Sequence, residues 1–427
     1  MKIAIVGAGW SGLAAASTAI DAGHQVTVFE AAQTLGGRAR ALPCRLPDGW
    51  SINVDNGQHI LIGAYSETLR LMQHVGIDTE TSMLRLPLTL LFADGSGLRL
   101  PRWPAPLDAL AGILFASGWS LADKASLIRA ALVWQWRGFT CPATSTVADL
   151  CSSISARVMA TLIEPLCVSA LNTPSERASG QVFLRVLQDS LFGGHGSSNL
   201  LLPRTDLTQL FPQAAAHWVQ QRGGVVRTGA RVDSIAHTGK DWALDGERFD
   251  AVVWATASTV AAQVFSASAD SMPPDLAAAL HQWAASAQAL QYEAIATVYA
   301  YSAQVRLAQP MLALHSSTEH PAQFVFDRGQ LGGPAGLLAF VVSASTAERD
   351  LVQSRVLAQA KQQLGITVQA LQTVVEKRAT FACTPALQRP MAKIAPGLVA
   401  CGDYVAGPYP ATLEGAVRSG IQAVQAL

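Results

Sequence analysis

The hydrophobic pattern at the start of the chain predicts a strand, a glycine-rich turn, a helix and a second strand. Lys2 to Val6 (KIAIV) is a short β-branched run with the length of a buried strand, and Gln25 to Phe29 (QVTVF) is another. Between them, an alanine-rich helix is predicted over Leu13 to Ala22, ending at Gly23. This order is typical of a doubly wound α/β fold with a parallel sheet.

Three glycines separate the first strand from the helix, in the spacing Gly-x-Gly-x-x-Gly: Gly7, Gly9 and Gly12. The first allows a tight turn, the second lets the backbone approach a pyrophosphate, and the third lets helix and strand pack closely. Trp10 and Ser11 lie between the last two glycines, where the N–H groups and positive dipole end of the helix would face phosphates. The motif predicts a dinucleotide site rather than a purely structural turn.

An acidic residue and a second glycine pair sharpen this prediction. Glu30 ends the second strand, where its carboxylate can accept hydrogen bonds from ribose hydroxyls. Gly37 and Arg38 follow in the stretch LGGRAR. This stretch resembles the extended fingerprint of flavoproteins, in which the arginine lies near the FAD pyrophosphate, and NAD enzymes do not normally carry it. The alternative is that Arg38 and Arg40 belong to a solvated loop.

A polar loop over residues 53–61 (NVDNGQHIL) holds the candidates for proton transfer. A glycine among short polar residues, between two strand-like runs, predicts a loop that comes close to something flat. In flavoproteins of this type such a loop passes near the isoalloxazine ring, which makes Gly57 and Gln58 candidate cofactor contacts. His59 and Asp55 are the candidate catalytic residues. For both, a structural role in bonding the backbone is the alternative.

The middle of the chain is unusually apolar. Residues 107–139 are predicted to be mostly helical and carry aromatic residues beside basic ones, with few acids: Trp119, Trp134, Trp136, Arg129 and Arg137. This combination is typical of an interfacial membrane helix or of the mouth of a lipid tunnel. An ordinary buried helix pair accounts for the same residues, so both interpretations stay open.

The signals of the first domain return later in the chain. A helix is predicted over residues 207–222, and strands are predicted over residues 225–228, 230–235 and 250–256. In FAD proteins of this architecture, the backbone at the position of Val232 contacts the adenine.

The end of the chain completes the predicted cofactor site. A strand over residues 398–401 is followed by Gly402 and Asp403, and a helix is predicted to start near Thr412 and Leu413. Asp403 is placed to accept hydrogen bonds from ribityl hydroxyls. The amino end of the helix can stabilise negative charge at the flavin N1/O2 edge.

These patterns divide the chain into two domains. The predicted fold class is α/β, with a Rossmann-type FAD-binding domain and an inserted α+β substrate domain. The FAD-binding domain comprises residues 1–85, 205–260 and 371–427, and the substrate domain comprises residues 86–204 and 261–370.

Composition sets the outer limits of this interpretation. Charged residues make up 14% of the 427 residues and hydrophobic ones 50%, against roughly 25% charged in typical soluble domains. This suits a protein that handles an apolar compound or rests on a membrane, and equally an alanine-rich enzyme. Thirty basic residues balance thirty acidic ones without a basic cluster, so we expect no nucleic-acid partner.

Cysteine usage and hydropathy bear on the compartment. The six cysteines are scattered without metal-ligand spacing, which predicts reduced core thiols, a cytoplasmic location and no metal site. The chain starts on a Rossmann strand, so we expect no signal peptide. The uncharged, apolar stretch over residues 109–122 has 14 residues, against roughly 20 needed to span a bilayer.

The motifs and their order resemble the flavin amine oxidase and phytoene desaturase superfamily. The shared stretches are GAGWSGLAAA, FEAAQTLGGRAR, DNGQHILIGAY and GDYVAGPYPATLEGAVRSG. Within it, EPLCVSALNTPSERASGQVFLRVLQDSLFGG and NLLLPRTDLTQLFP resemble the squalene-associated FAD-dependent desaturases, now understood as hydroxysqualene dehydroxylases. The resemblance spans the whole chain.

The resemblance implies a reduction in squalene and hopanoid biosynthesis. FAD would be the cofactor and hydroxysqualene, a C30 isoprenoid allylic alcohol, the substrate. Hydride from FADH2 N5 would replace the hydroxyl to give squalene, and an electron donor that the sequence does not identify would reduce the FAD again. Contact with the inner face of the cell membrane fits such a substrate and stays open.

Three other functions remain open for this fold. A desaturase would use the same site in the oxidising direction on a phytoene-like polyene. An amine oxidase would need an aromatic cage, for which Tyr404 and Tyr409 are the nearby aromatics. A prenyl-binding protein without flavin, like the Rab GDP-dissociation inhibitors, is disfavoured by the intact Gly37-Arg38 and Gly402-Asp403 pairs.

Overall fold

The computed structural model describes residues 1–427, which form strands and helices in mixed order. The strands are β1 (Lys2–Val6), β2 (Gln25–Glu30), β3 (Ala41–Arg45), β4 (Ser51–Asp55), β5 (Leu61–Ile62), β6 (Met83–Leu86), β7 (Thr89–Leu91), β8 (Gly97–Arg99), β9 (Leu200–Pro203), β10 (Val225–Thr228), β11 (Ile235–His237), β12 (Trp242–Leu244), β13 (Glu247–Phe249), β14 (Ala251–Trp254), β15 (Tyr292–Tyr301), β16 (Met311–Ala313), β17 (Phe324–Asp327), β18 (Leu337–Val342), β19 (Gln369–Phe381), β20 (Lys393–Ala395) and β21 (Leu398–Ala400).

The helices follow the same mixed order along the chain. They are α1 (Trp10–Asp21), α2 (Ser66–His74), α3 (Thr79–Ser82), α4 (Leu107–Phe115), α5 (Leu121–Trp136), α6 (Val147–Leu150), α7 (Ala156–Val158), α8 (Glu164–Leu171), α9 (Gly180–Phe192), α10 (Leu207–Leu210), α11 (Pro212–Gln221), α12 (Ser258–Ala269), α13 (Pro274–Gln288), α14 (Arg349–Leu364) and α15 (Leu413–Gln425). A π-helical turn over Met159–Ile163 precedes α8.

The largest sheet joins strands from the beginning, middle and end of the chain. Its order is β10-β2-β1-β14-β21-β20, and every pair is parallel except the antiparallel edge pair β20–β21. Ile3 of β1 lies between Val26 of β2 and Ala251 of β14. The α/β fold class with a parallel sheet is therefore confirmed.

Helices and loops cover both faces of this sheet, which explains why β1 is continuously apolar. Ile3 and Ile5 pack in one cluster with α1, α11 and α15, whereas Ala4 and Val6 pack in another cluster on the opposite face. The amino- and carboxyl-terminal helices α1 and α15 touch closely, since a Cβ on Gly420 would lie 2.2 Å from the Ser11 carbonyl oxygen.

A second, antiparallel sheet has the order β16-β17-β18-β15-β19. Helix α14 covers one of its faces through Val352, Val356 and Ala360. On its other side, the Tyr299 hydroxyl of β15 donates to the Asp55 carbonyl oxygen at 2.8 Å. This contact joins the second sheet to the end of β4, where the polar loop begins.

The six strands of the parallel sheet lie within residues 1–85, 205–260 and 371–427. Four strands of the antiparallel sheet lie within residues 261–370, and the fifth, β19, extends beyond them to Phe381. The domain boundaries given above remain a prediction.

Two predicted helices are each interrupted. The helix predicted over residues 207–222 divides into α10 and α11 at Phe211, because Pro212 has no N–H to continue the ladder. The apolar segment over residues 107–139 divides into α4 and α5, since Gly118 adopts φ +80° and the Ser120 side chain caps α5.

The strand predicted over residues 230–235 is wrong except at its last residue. Strand β11 begins only at Ile235, and residues 230–234 pair with no strand. The Ala230 N–H donates to the Glu30 carbonyl oxygen at 2.9 Å, after which the chain leaves the sheet. The sequence pattern predicts the apolar positions correctly, but residues 230–234 have no neighbouring strand to pair with.

A substitution at Gly12 tests the tight packing of α1 on the turn before it. A Cβ on Gly12 would lie 1.9 Å from the Gly7 carbonyl oxygen, so the backbone must move. We expect Gly12→Ala to lower the free energy of unfolding by about 1–3 kcal/mol, measured by denaturant titration of the apoprotein.

Gly407→Ala is the matched control, because its Cβ would meet only one atom, at 3.9 Å. A Gly12→Ala protein as stable as this control would contradict the packing described here.

Candidate active site

A cavity of about 850 Å³ is lined by residues of both sheets and of the helices between them. Fourteen of the fifteen predicted cofactor residues lie in its wall, together with His59: Gly7, Gly9, Trp10, Ser11, Glu30, Gly37, Arg38, Gly57, Gln58, Val232, Gly402, Asp403, Thr412 and Leu413. Gly12 does not line the cavity, because it faces the Gly7 carbonyl inside the turn. Motifs that are far apart in sequence therefore share one cavity.

The amino end of α1 has the properties of an anion site. Gly9 precedes the helix, no side chain caps it, and no acid occupies its first turn. Its first N–H groups are therefore free to bind phosphate. Gly9 faces Gly37 across a narrow gap, since a Cβ on Gly9 would lie 3.9 Å from the Gly37 Cα. These residues fit the pyrophosphate of a dinucleotide.

Glu30 and Val232, the residues predicted to contact the nucleoside, both line the cavity. The Glu30 carboxylate accepts from the Ala8 N–H at 2.8 Å and from the Ala32 N–H at 2.9 Å, so its position is fixed. A carboxylate can accept more than two hydrogen bonds, which leaves capacity for ribose hydroxyls. Val232 is buried, and neither its N–H nor its C=O bonds another backbone group. Both polar atoms are thus available to a ligand.

Arg38 and Asp403 form an ion pair with each other at the wall of the cavity. Arg38 also donates to the Ala379 carbonyl oxygen at 2.8 Å, so the guanidinium joins the ends of the chain to β19. The sequence assigned these residues separately, to pyrophosphate and to ribityl hydroxyls. The structure adds a contact between them that neither motif predicts.

His59 lines the cavity with its ring held in one orientation. Its Nδ1 lies 2.7 Å from the Gly57 carbonyl oxygen. A carbonyl only accepts, so Nδ1 carries the hydrogen, and Nε2 of the neutral ring is an acceptor. Burial lowers the pKa of His59; the bond to Gly57 opposes this shift and the positive charge of Arg38 adds to it. The neutral ring is therefore the resting form.

Asp55, the other candidate catalytic residue, does not line the cavity. Its carboxylate accepts from the Leu207 N–H at 2.7 Å and thereby holds the start of α10. Burial raises the pKa of Asp55 to about 7; the bond from Leu207 and the charge of Arg328 act in the opposite direction. This position assigns Asp55 a structural contact rather than contact with a substrate.

Apolar side chains that no sequence motif identified also line the cavity. Side chains from several elements contribute: Leu88, Leu166, Val182, Val186, Val264 and Phe326. The only sequence signal for them is spacing, since Val182 and Val186 recur at i and i+4 on α9. Such spacing predicts a buried helix face, but it does not distinguish a core from a cavity wall.

Tyr409 and Tyr404, the aromatics considered for an amine cage, both line the cavity. The Arg185 and Arg418 guanidinium groups lie 5.4 and 4.9 Å from the Tyr409 ring centroid. Tyr404 is buried, and its hydroxyl has no hydrogen-bond partner. Two cations on the Tyr409 ring leave a poor site for a protonated amine.

Comparison with known proteins identifies the family. Residues 10–427 match the family model described as flavin containing amine oxidoreductase. Hydroxysqualene dehydroxylase of Rhodopseudomonas palustris is 26% identical, over 98% of this chain and 96% of that protein. Zeta-carotene desaturase of maize, Zea mays, is 30% identical, but over only 29% of this chain and 22% of that protein. An oxidoreductase from Methanosarcina mazei has the same fold, with a TM-score of 0.74 at 17% identity, and both chains are fully covered.

Gly9→Ala tests the pyrophosphate site separately from folding. A Cβ at Gly9 meets no protein atom closer than 3.9 Å, so the free energy of unfolding of the apoprotein should change by less than about 0.5 kcal/mol. The methyl group would occupy the space through which the backbone approaches the cofactor. We expect at least about tenfold weaker FAD binding by fluorescence titration. Unchanged affinity would contradict this assignment.

Asp55→Asn tests the structural role of Asp55. In the fold its pKa is raised to about 7, against about 3.9 in an unfolded chain, so its contribution to stability is lost as pH rises between these values. The asparagine oxygen can still accept from Leu207. We expect the variant to exceed the wild type in unfolding free energy at pH 8, by up to about 4 kcal/mol, with a smaller difference at pH 4. Equal pH dependence of the two proteins would contradict this.

Proposed function

The chain belongs to the flavin-containing amine oxidoreductase family, and we propose that it converts hydroxysqualene to squalene by reductive dehydroxylation. It is an FAD-dependent oxidoreductase, as predicted from the sequence. The proposed reaction belongs to squalene and hopanoid biosynthesis. One observation carries it: an apolar cavity is continuous with the flavin motifs in a chain that is similar to a hydroxysqualene dehydroxylase over nearly its whole length.

The cavity wall suits a hydrocarbon substrate. Hydrophobic residues provide 35 of the 64 positions that line it, and most of these are aliphatic. Burying a long isoprenoid chain against such a wall is favourable at about 25 cal/mol per Å². Polar groups in the wall can then fix the orientation of a single hydroxyl. A C30 allylic alcohol has this combination of an apolar body and one polar group.

The reaction breaks a carbon–oxygen bond and forms a carbon–hydrogen bond. Reduced FAD would supply the hydride. The hydroxyl leaves with one proton as water, so the balance is alcohol plus hydride plus proton to hydrocarbon plus water. The apolar wall excludes bulk water from the allylic carbon. Without this wall, water would add to the carbon once the hydroxyl has left. The chain must therefore deliver one proton to the leaving oxygen at a chosen place.

We propose His59 as the residue that delivers this proton. In the neutral ring, Nε2 can accept a hydrogen bond from the substrate hydroxyl, since Nδ1 is committed to Gly57. After uptake of a proton from solvent, Nε2–H can donate to the departing oxygen. The lowered pKa makes this charged form a minority at neutral pH and a strong acid when it forms. Asp55 is not proposed for this step, because it lies outside the cavity.

Desaturation of a phytoene-like polyene is the second candidate function. The local similarity to zeta-carotene desaturase favours it, and the same apolar wall would accept a polyene. The difference lies in direction, because a desaturase removes hydrogen and needs no leaving hydroxyl. An amine oxidase is disfavoured by the two guanidinium groups at Tyr409.

We further propose that the enzyme works in the cytoplasm at the inner surface of the cell membrane, where an isoprenoid substrate resides. None of its helices has the length and apolarity needed to cross a bilayer. A separate electron donor would renew the reduced cofactor.

The pH profile tests the role of His59. If protonated His59 is the acid, kcat/KM falls about tenfold per unit as pH rises above its lowered pKa, so the decline is already under way at pH 6.5. We expect His59→Gln to lose this slope and to be at least about 100-fold slower at pH 6.5.

Asp55→Asn serves as the control for this series and should keep both the rate and the slope. A pH-independent wild type, or a His59→Ala protein with unchanged turnover, would remove His59 from this role.

An anaerobic reaction tests the proposed function directly. The protein is reduced, mixed with hydroxysqualene, and followed by its flavin spectrum while lipids are extracted. We expect flavin reoxidation with an equal amount of squalene. Should the flavin stay reduced, while oxidised protein bleaches with phytoene, the desaturase replaces the dehydroxylase.

A further inference from the structure

Helices α4 and α5 expose large apolar side chains to solvent. Leu121 and Trp136 are each 85% exposed and Phe115 is 78% exposed. We call the whole set the α4–α5 apolar face; its members are Leu107, Leu110, Leu114, Phe115, Leu121, Leu132, Val133 and Trp136. Solvent-exposed apolar patches of this kind on a monomer mark sites of interaction.

The side chains of this face are arranged by helical spacing rather than scattered. On α4, Leu107, Leu110 and Leu114 recur at i, i+3 and i+7 and share one side of the helix. On α5, Leu132 and Trp136 are one turn apart. The opposite sides of both helices are buried in the core. Each helix therefore carries apolar side chains on its solvent side in addition to those on its buried side. Core packing therefore does not account for the exposed residues.

The charges near the face are predominantly positive. Residues 99–137 contain five basic side chains and two acidic ones, Asp108 and Asp123. Asp123 caps α5 by accepting from Ser120, and Asp108 is buried, so neither acid projects freely. The basic residues are Arg99, Arg102, Lys124, Arg129 and Arg137. An apolar surface bordered by cations matches an anionic lipid bilayer.

Both ends of the segment adjoin the cavity wall. At one end, the Leu100 N–H donates to the carbonyl oxygen of Leu88, a cavity residue, at 2.9 Å. At the other, the Phe139 ring lies 5.0 Å from the ring of Phe192, which follows the cavity residue Leu191 on α9. The exposed face is thus part of the same structural unit as this part of the cavity wall.

We propose that the α4–α5 apolar face docks the protein on an anionic lipid bilayer, with its side chains in the interfacial layer. Trp136, Phe115 and the leucines would enter the acyl boundary while the arginines contact phosphate groups. The choice of this surface rests on the proposed isoprenoid substrate, which would reach the cavity from the membrane.

A second copy of the chain is a less suitable occupant. Arg129 lies exposed on α5 between Leu121 and Leu132. Arg99, Arg102 and Arg137 are also exposed and are close to the face in sequence, and the Lys124 ammonium donates to the Leu114 carbonyl oxygen. Symmetric pairing would bring these like charges together, which opposes association. A lipid surface with negative head groups compensates the same charges.

Vesicle binding of the purified holoprotein, without substrate, tests the docking surface. We expect co-sedimentation with phosphatidylglycerol vesicles and much weaker binding to phosphatidylcholine vesicles. The triple variant Phe115→Gln, Leu121→Gln, Trp136→Gln should bind phosphatidylglycerol at least about tenfold more weakly. The matched control carries Trp50→Gln, Leu351→Gln and Met391→Gln, three exposed apolar residues elsewhere, and should bind like the wild type.

Two results would overturn the proposal: absent wild-type binding, or equal loss in both triple variants. A wild type that is dimeric by analytical ultracentrifugation, with only the α4–α5 variant monomeric, would assign the face to a second copy instead. Turnover of hydroxysqualene dissolved in detergent separates this outcome from failure of the proposed function. The α4–α5 variant should keep that turnover, since none of its three residues lines the cavity.

Discussion

The parallel pairing of β1 with β2 on one side and β14 on the other is the constraint on which the rest of the structure depends. It places three strand ends at one edge, where the Gly7 N–H donates to the Phe29 carbonyl oxygen at 2.7 Å. Gly7 adopts φ +111°, and a Cβ there would lie 2.8 Å from the Ala255 carbonyl oxygen. The turn can therefore approach the neighbouring strand only with glycine. At the same edge, β21 brings in Gly402 and Asp403, so four distant segments build one cavity.

Burial of ionisable groups gives this cavity its chemical character. Ionisable groups buried there lose the solvation that favours their charged forms, and the pKa of His59 is lowered for this reason. The proposed reaction must protonate a hydroxyl. With its lowered pKa, His59 is rarely protonated, but its protonated form is a stronger acid toward that hydroxyl. The apolar wall limits competing water. The same burial raises the pKa of Asp55, but that carboxyl is turned toward α10 and away from the cavity.

Local motifs were sufficient to predict the fold class, the family and the cofactor. Each glycine or acid in these motifs meets a backbone requirement that is set by residues close in sequence. Strand β1 was predicted to the residue. Where the outcome depends on distant partners, prediction was weaker. The run over residues 230–234 has a strand-like sequence but no neighbouring strand to pair with. Asp55 ends β4 and His59 lies four positions further on, in the loop that follows. Only His59 lines the cavity, because the Asp55 carboxylate accepts from Leu207, far along the chain. The Arg38–Asp403 pair and the apolar wall are likewise tertiary features.

The central claim is that this cavity replaces an allylic hydroxyl by hydride. Isotope transfer tests it most directly, because the N5 hydrogen of reduced flavin exchanges with solvent. The reduced enzyme is therefore equilibrated in heavy water and given hydroxysqualene, and the product is analysed by mass spectrometry. The account predicts squalene with one deuterium, at the carbon that had carried the hydroxyl. Squalene without deuterium, or a product that keeps its oxygen and has lost two hydrogens, would contradict it.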